Sequence, residues 1–348
     1  MREKFFREDD FVAKRIGRRT LCCENSPAVK SFAAVTGKKE GEGPLGDQFD
    51  KVFSDDTLAQ DSWEKAESRL QTEAVQLALQ KISLPTERVQ LILAGDLMNQ
   101  CIGSTFGLRE MNLPFLGQFG ACSTMAQTIA LASIFVECGL LEHAIAVTSS
   151  HFCSAERQFR FPLEYGSIRT PTAQWTVTGA GAVVLGQKQG KPAPVVEHIT
   201  IGTIVDLGIT DANNMGAAMA PAASQTLCEF FRDTGTSPRD YDRIFTGDLG
   251  QVGSDLLKEL LLRENFDIEG VHDDCGKMIF SPDQKVNSGG SGCGCSASVL
   301  CGDILPRMRR GDLKNILFVA TGALMSTTSS QQGESIPGIA HLVHFRAE

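Results

Sequence analysis

Two stretches of this chain read as copies of one another. Leu91-Ile-Leu-Ala-Gly-Asp-Leu97 and Arg243-Ile-Phe-Thr-Gly-Asp-Leu249 are apolar runs that both end in Gly-Asp-Leu. Further on, Ala121-Cys-Ser123 is matched by Gly294-Cys-Ser296. Each Cys-Ser leads into an apolar, small-residue stretch of helical length, then a glycine (Gly139, Gly311), then an apolar run ending in threonine (Thr148, Thr321). From Ser123 to Thr148 is 25 steps, and from Ser296 to Thr321 is 25 again. Spacing kept over that length marks a duplicated unit rather than two ordinary βα segments sharing a tripeptide. The Gly-Asp-Leu copies lie 152 positions apart and the Cys-Ser copies 173, so the second copy carries about 21 extra residues between its first strand and its helix.

The duplication predicts an α/β protein. The runs from Cys122 to Cys138 and from Cys295 to Met308 are apolar nearly all round, as buried helices are. The strands are short apolar runs bounded by glycine, as buried parallel strands are. Buried helices between buried strands imply two sheets enclosing a central helix pair. Ser62 to Lys81 reads as an amphipathic helix capped by Ser62 and ended by Ser83-Leu-Pro85. Ala222 to Arg232 takes the same place before Arg243. Thr176 to Leu185 reads as a strand with close-approach glycines, and Pro192 and Pro194 mark a joint. The expected division is a variable segment over 1–40, one half over 41–190 and a second over 191–348. The segment 21–50 shows no period and is expected to be loop.

Composition removes several classes. A chain of 348 residues, 42% hydrophobic and 22% charged, is neither a disordered segment nor a coiled coil. No apolar run is long enough to span a bilayer. A net charge of −9 argues against a general nucleic-acid binder, and no nucleic-acid partner is expected. The N-terminus mixes Arg2, Lys4, Arg7, Lys14, Arg15, Arg18 and Arg19 with Glu3, Glu8, Asp9 and Asp10, which reads as a solvated tail rather than a secretory signal. Eleven cysteines with no export signal predict reduced thiols in a cytoplasm-like compartment. Cys293 and Cys295 lack a matching second ligand pair, so neither a metal nor a cofactor is expected.

Gly120-Ala-Cys122-Ser123 opens a buried helix out of a glycine-bearing turn. Free N–H groups and the positive dipole end there favour a thiolate, and they equally favour a bound anion. A small buried cysteine is the competing reading.

These residues, with Val177-Thr-Gly-Ala-Gly-Ala-Val-Val-Leu185, resemble the thiolases and β-ketoacyl synthases. That resemblance implies a duplicated βαβαβαββ, five-layered αβαβα fold, a homodimer, and a nucleophilic cysteine at Cys122. The resemblance is closer to one branch, a stage V sporulation family of endospore-forming bacteria. It is carried by Leu93-Ala-Gly-Asp-Leu-Met-Asn-Gln100, Phe119-Gly-Ala-Cys-Ser-Thr124, Thr148-Ser-Ser-His151, Ala155-Glu-Arg-Gln-Phe-Arg-Phe-Pro162 and Gly289-Gly-Ser-Gly-Cys-Gly-Cys-Ser-Ala297. It covers nearly everything from about residue 40 onward. It implies binding of dipicolinic acid, pyridine-2,6-dicarboxylate, alone or as its calcium chelate. It also implies work alongside other stage V sporulation A membrane proteins, at the periphery of the forespore or spore inner membrane.

The departures from the enzymes bear on activity. The synthases carry a histidine just after the strand matching Arg243–Phe245, where this chain reads Thr246-Gly-Asp-Leu249. The thiolases carry Gly-His-Pro before the second-half helix, where it reads Gly289-Gly-Ser-Gly-Cys-Gly-Cys295. Each missing acid–base group removes about 10²–10⁴ in rate. The expectation is a binding protein with a vestigial nucleophile, and the alternative is an acyl-CoA or acyl-thiol condensing enzyme using Cys122. A third reading is a scaffold whose surface holds membrane partners. Expected ligand contacts are the helix starts at Cys122 and Ser123, His151 at a strand end, Gly290 and Ser291 in the glycine-rich turn, and Arg157 or Arg160 as a carboxylate fork. An exposed ion pair is the competing reading for either arginine. Asp96 and Asp248 occupy equivalent repeat positions, as pocket residues or as caps of the loops that follow them.

Overall fold

The computed structural model describes residues 13–159, 169–190 and 192–347. The matched runs become matched strands. In the first half these are β1 (Ala28–Thr36), β2 (Leu91–Gly95), β3 (Phe115–Gly117), β4 (His143–Ser150) and β5 (Gly179–Gly186). The second half has β6 (Val195–Thr200), β7 (Arg243–Thr246), β8 (His272–Asp274), β9 (Asn315–Ala323) and β10 (Gly338–Arg346). The spatial order is β3-β2-β4-β5-β1 in one half and β8-β7-β9-β10-β6 in the other, the same permutation twice. Strand directions repeat as well. The first three strands in each order run parallel, and the last two pairings are antiparallel. The halves join edge to edge where Val195 meets Ala28.

Strands whose side chains are buried on both faces need helices on both sides. The helix α1 (Trp63–Lys81), with Ser62 accepting from the Lys65 N–H at its start, packs Leu70, Ala74 and Val75 on the outer face of the first sheet. The short helices α2 (Ile102–Leu108) and α4 (Phe152–Phe159) follow β2 and β4, and α5 (Met215–Thr234) and α6 (Gly250–Arg263) cover the outer face of the second sheet. Between the sheets lie α3 (Thr124–Glu137) and the continuous helix formed by α7 (Cys293–Val299), a π-helical step over Leu300–Ile304 and α8 (Leu305–Arg310). One core joins these central helices to strands of both sheets. That is the five-layered αβαβα arrangement of the thiolase fold.

Several elements differ from the sequence reading. The segment expected to be loop contains β1, a buried strand at the edge of the first sheet where the two halves join. Its period is hidden by a register shift between Val29 and Ser31, which turns Lys30 out of the ladder to bond the Gln189 carbonyl. The helix expected from Ala222 begins at Met215 and runs through Pro221, because burial of Ala218, Met219 and Ala220 outweighs one missing backbone hydrogen bond. The second central helix begins at Cys293, two residues before the Cys-Ser pair. Pro306, which lacks an N–H, follows its π-helical step. Thr176 to Leu185 is two strands, because Trp175–Thr176 pairs with Gly290–Ser291 instead of joining the main sheet. Residues 1–12 and Arg160 lie outside the described residues.

Glycine lets the central helices lie directly on strand backbone. A Cβ at Gly181 in β5 would stand 2.4 Å from the Ala297 carbonyl oxygen of α7. Gly181→Ala is therefore expected to lower stability by about 1–3 kcal/mol, read as a fall in the urea midpoint at unchanged slope.

Candidate functional site

The parallel strands β2 and β7 deliver the two Gly-Asp-Leu sequences to the same end of the fold, yet the two aspartates do different work. The Asp96 carboxylate accepts from the Met98 and Ser104 N–H groups and from the Ser104 hydroxyl, closing its own loop. In the second half that duty falls to Asp274, at the end of β8, which accepts from Leu249 N–H, Gly250 N–H and the Thr246 hydroxyl. Asp248 is thereby released to face the joint between the halves. It accepts from Gly292 N–H at 2.8 Å, the Thr321 hydroxyl at 2.8 Å and the Ser291 hydroxyl at 3.3 Å, and it hydrogen-bonds the Cys122 thiol.

Cys122 follows Ala121, held at φ 48°, a left-handed conformation that an alanine adopts only under tertiary constraint. The close approach of Gly322 in β9 supplies it, since a Cβ there would stand 2.3 Å from the Gly120 carbonyl oxygen. The two helix starts do meet. Cys122 and Cys293 pack in one cluster with Leu97 and Ala155. The second start is not open to a ligand, however, because Asp248 takes the Gly292 N–H and the Ser150 hydroxyl takes the Gly294 N–H.

Burial pushes the Cys122 thiol well above its ordinary value, and the neighbouring Asp248 and then Cys293 push it further. The helix start does not reverse this, so the sulfur is a thiol at neutral pH, contrary to the thiolate expected from its position. Burial also raises the Asp248 carboxyl, to about 6, against the pull of its hydrogen bonds to Cys122, Gly292, Thr321 and Ser291.

A cleft of ≈ 50 Å³ opens above the sulfur, walled by Leu97, Phe119, Phe159, Met215, Ala323 and Met325. Its polar lining comes from Cys122, Thr176, Ser291 and Glu156. No histidine is among the described residues that line it. The larger groove of ≈ 610 Å³ beside Gln76, Glu87 and Glu110 holds none of the candidate residues.

Of the residues singled out from sequence, Cys122 and Ser291 line the cleft and Asp248 lies directly behind them. The Ser123 hydroxyl is held by the Gly120 carbonyl oxygen. His151 Nε2 bonds the Asp56 carbonyl oxygen and Nδ1 accepts from Cys153 N–H, so both ring nitrogens are engaged. Arg157 is exposed and ion-paired with Glu64. Gly290 packs on Ile279, Cys295 and Val177, and its carbonyl accepts from Gln174. The reading missed Arg169, which pairs at 2.8 Å with the cleft residue Glu156 and lies over the rings of Phe152 and Trp175. Nothing in its local sequence distinguishes it.

A carboxyl raised on folding is stabilising while protonated, and that contribution is lost as pH climbs through its folded value. Asp248→Asn should not lose it. Between about pH 4 and pH 7 the wild type should lose up to about 3 kcal/mol relative to the variant, measured by urea unfolding at each pH.

Comparison with known proteins accords with this geometry. Solved structures with the same fold include 3-oxoacyl-[acyl-carrier-protein] synthase III from Aquifex aeolicus VF5, with a TM-score of 0.57 at 13% identity, covering 92% of this chain and 99% of that one. The priming β-ketosynthase of the R1128 polyketide pathway gives 0.57 at 14% identity, covering 95% and 98%. Xanthomonas campestris OleA with cerulenin gives 0.57 at 13% identity, covering 92% and 96%. Stage V sporulation protein AD of Bacillus subtilis (strain 168) is 47% identical over 332 residues, 95% of this chain and 98% of that protein. Residues 17–346 match the family described as Stage V sporulation protein AD (SpoVAD), and the chain belongs to that family.

Proposed function

We propose that this sporulation protein keeps the thiolase-like cleft as a binding site for dipicolinic acid and does not turn over thioesters. The observation that carries this reading is the partner of Cys122, a buried carboxyl on Asp248 where a condensing enzyme needs a base and an oxyanion donor. A carboxylate beside the sulfur opposes both thiolate formation and a developing oxyanion.

The cleft chemistry supports a small flat acid. Apolar walls from Phe119, Phe159, Met215 and Met325 suit an aromatic ring, and the Thr176 hydroxyl can donate to a carboxylate. Arg169, drawn to the rim by Glu156, supplies positive charge. The proposed contacts are thus Cys122, Ser291, Asp248 and Arg169, with the acid taken up free or as its calcium chelate. The protein would work beside membrane partners of the stage V sporulation A group at the forespore membrane. No helix among the described residues is long and apolar enough to cross a bilayer itself.

Titration calorimetry with dipicolinate should give saturable binding that Ala323→Phe abolishes by filling the cleft. Because Asp248 opposes an anion once ionised, affinity should rise several-fold from pH 7.5 to pH 5.5, and Asp248→Asn should flatten that dependence. Absence of heat at millimolar ligand would overturn the binding reading. An acyl adduct on Cys122 after incubation with acyl-CoA, seen by mass spectrometry, would restore the condensing-enzyme alternative.

We also infer a homodimer. The edge strand β3 is exposed along its length, and Phe115, Leu116, Phe119 and Phe106 form an exposed apolar face beside it. An unpaired apolar edge of this kind invites a second copy. Leu116→Lys is expected to convert a dimer to a monomer in sedimentation velocity without loss of helical signal.

A further inference from the structure

On the second sheet, far along the chain from Cys122, two histidines and a glutamate converge. His198 in β6 and His344 in β10 are directly paired across the antiparallel ladder, so their side chains share one face. Glu197 would ordinarily point to the opposite face. The register shift between Val196 and His198 brings consecutive residues to the same side. The first strand of the other half has the corresponding shift at Val29 and Ser31, where the extra residue is Lys30, turned outward. The duplicated device thus presents a cation in one half and a carboxylate beside two imidazoles in the other.

The ligand atoms are close. His198 Nδ1 and His344 Nδ1 stand 2.9 Å apart, and His344 Nδ1 is 3.5 Å from Glu197 Oε2. One candidate donor atom from each of the three residues lies within 4.8 Å of the others. Two ligands each about 2.05 Å from a tetrahedral ion are separated by about 3.3 Å, a value between the two measured distances. The outer contacts orient the set. His344 Nε2 bonds Asn315 Oδ1 at 2.5 Å, a contact that places the proton on Nε2 and leaves Nδ1 unprotonated, the acceptor of the His198 bond. Arg346 holds Glu197 Oε1 at 3.1 Å, leaving Oε2 to ligate.

We propose that Glu197, His198 and His344 bind one divalent transition-metal ion of the zinc class. Two imidazoles and one carboxylate oxygen fill three positions of a tetrahedron, with water in the fourth. Both imidazoles are neutral at physiological pH, His344 because burial and then His198 and Arg346 lower it to about 3, and His198 because burial lowers it. The rings are parallel, interplanar angle 2°, and their Nδ1 atoms are joined by one N–H···N bond. Binding breaks that hydrogen bond: the His198 proton passes through solvent from Nδ1 to Nε2 with no net release, and the Nδ1 lone pair so freed meets the metal.

The test uses Co²⁺ as a visible reporter, titrated into the full-length, reduced protein. One equivalent should develop the d–d absorption of a tetrahedral nitrogen–oxygen site and be displaced by Zn²⁺. His198→Asn and Glu197→Gln should each weaken binding by at least tenfold. Both residues are partly exposed and neither is in the apolar core, and unchanged circular dichroism checks that the variants fold. Absence of a saturable one-equivalent band overturns the proposal. So does a band that survives His198→Asn, or one dominated by sulfur-to-cobalt charge transfer, which would place the ion on cysteine.

Discussion

The carboxyl group of Asp248 is the contact on which the candidate site depends. It is fully buried, it comes from the second half, and it reaches the start of the first half's central helix through Cys122. With the same two oxygens it holds Gly292 N–H at the start of the second central helix and the hydroxyl of Thr321 on β9. A buried carboxyl is tolerated only where its hydrogen bonds are made, and here they tie the two copies of the fold together at their shared face. In an acyl-transfer enzyme this point must carry a base and an oxyanion donor. A group that is itself an anion when ionised does the opposite. It raises the thiol and repels developing negative charge, which is the physical basis of the proposal that the cleft binds rather than reacts.

Duplication was legible in the sequence because burial on both faces leaves no polar alternation to confuse the pattern. β2, β4, β7 and β9 are largely apolar runs, and the 25-step spacing from each Cys-Ser to the threonine of β4 or β9 survived intact. β1 was not legible for the opposite reason. One extra residue at Lys30 breaks the period of two, and a nine-residue buried strand then resembles loop. The same kind of shift obscured Glu197 beside His198. The first central helix lay within two residues of its expected ends, whereas the second began earlier than its Cys-Ser pair.

The candidate site was legible in its backbone landmarks and less so in its side chains. Cys122 and Ser291 are fixed by glycine-bearing turns, and turns announce themselves in sequence. Which of two equivalent aspartates faces the joint between the halves depends on whether a third carboxylate caps the loop instead. Asp274 is brought to that loop only by the pairing of β8 with β7. His151 stood at the expected strand end, but its ring turned to Asp56, a partner about a hundred positions upstream. Arg169 pairs with the cleft residue Glu156 and lies over the rings of Phe152 and Trp175. In each case a long-range contact selects among local possibilities that the sequence leaves equal.

A duplicated fold lets its halves diverge at equivalent positions while the shared core holds both. The aspartates of the two Gly-Asp-Leu turns now serve as a loop cap in one half and as a tie between Cys122, Gly292 and Thr321 in the other. The two shifted first strands now display Lys30 in one half and Glu197 with two imidazoles in the other. Neither change touches the strand permutation, because the altered side chains leave the ladder's partners in place. The core that fixes the layers is packed by residues such as Phe318, Val343 and Met125, which belong to neither site. Function can therefore be lost, kept or moved at the turns and shifts of such a chain while the packing that builds the fold stays constant.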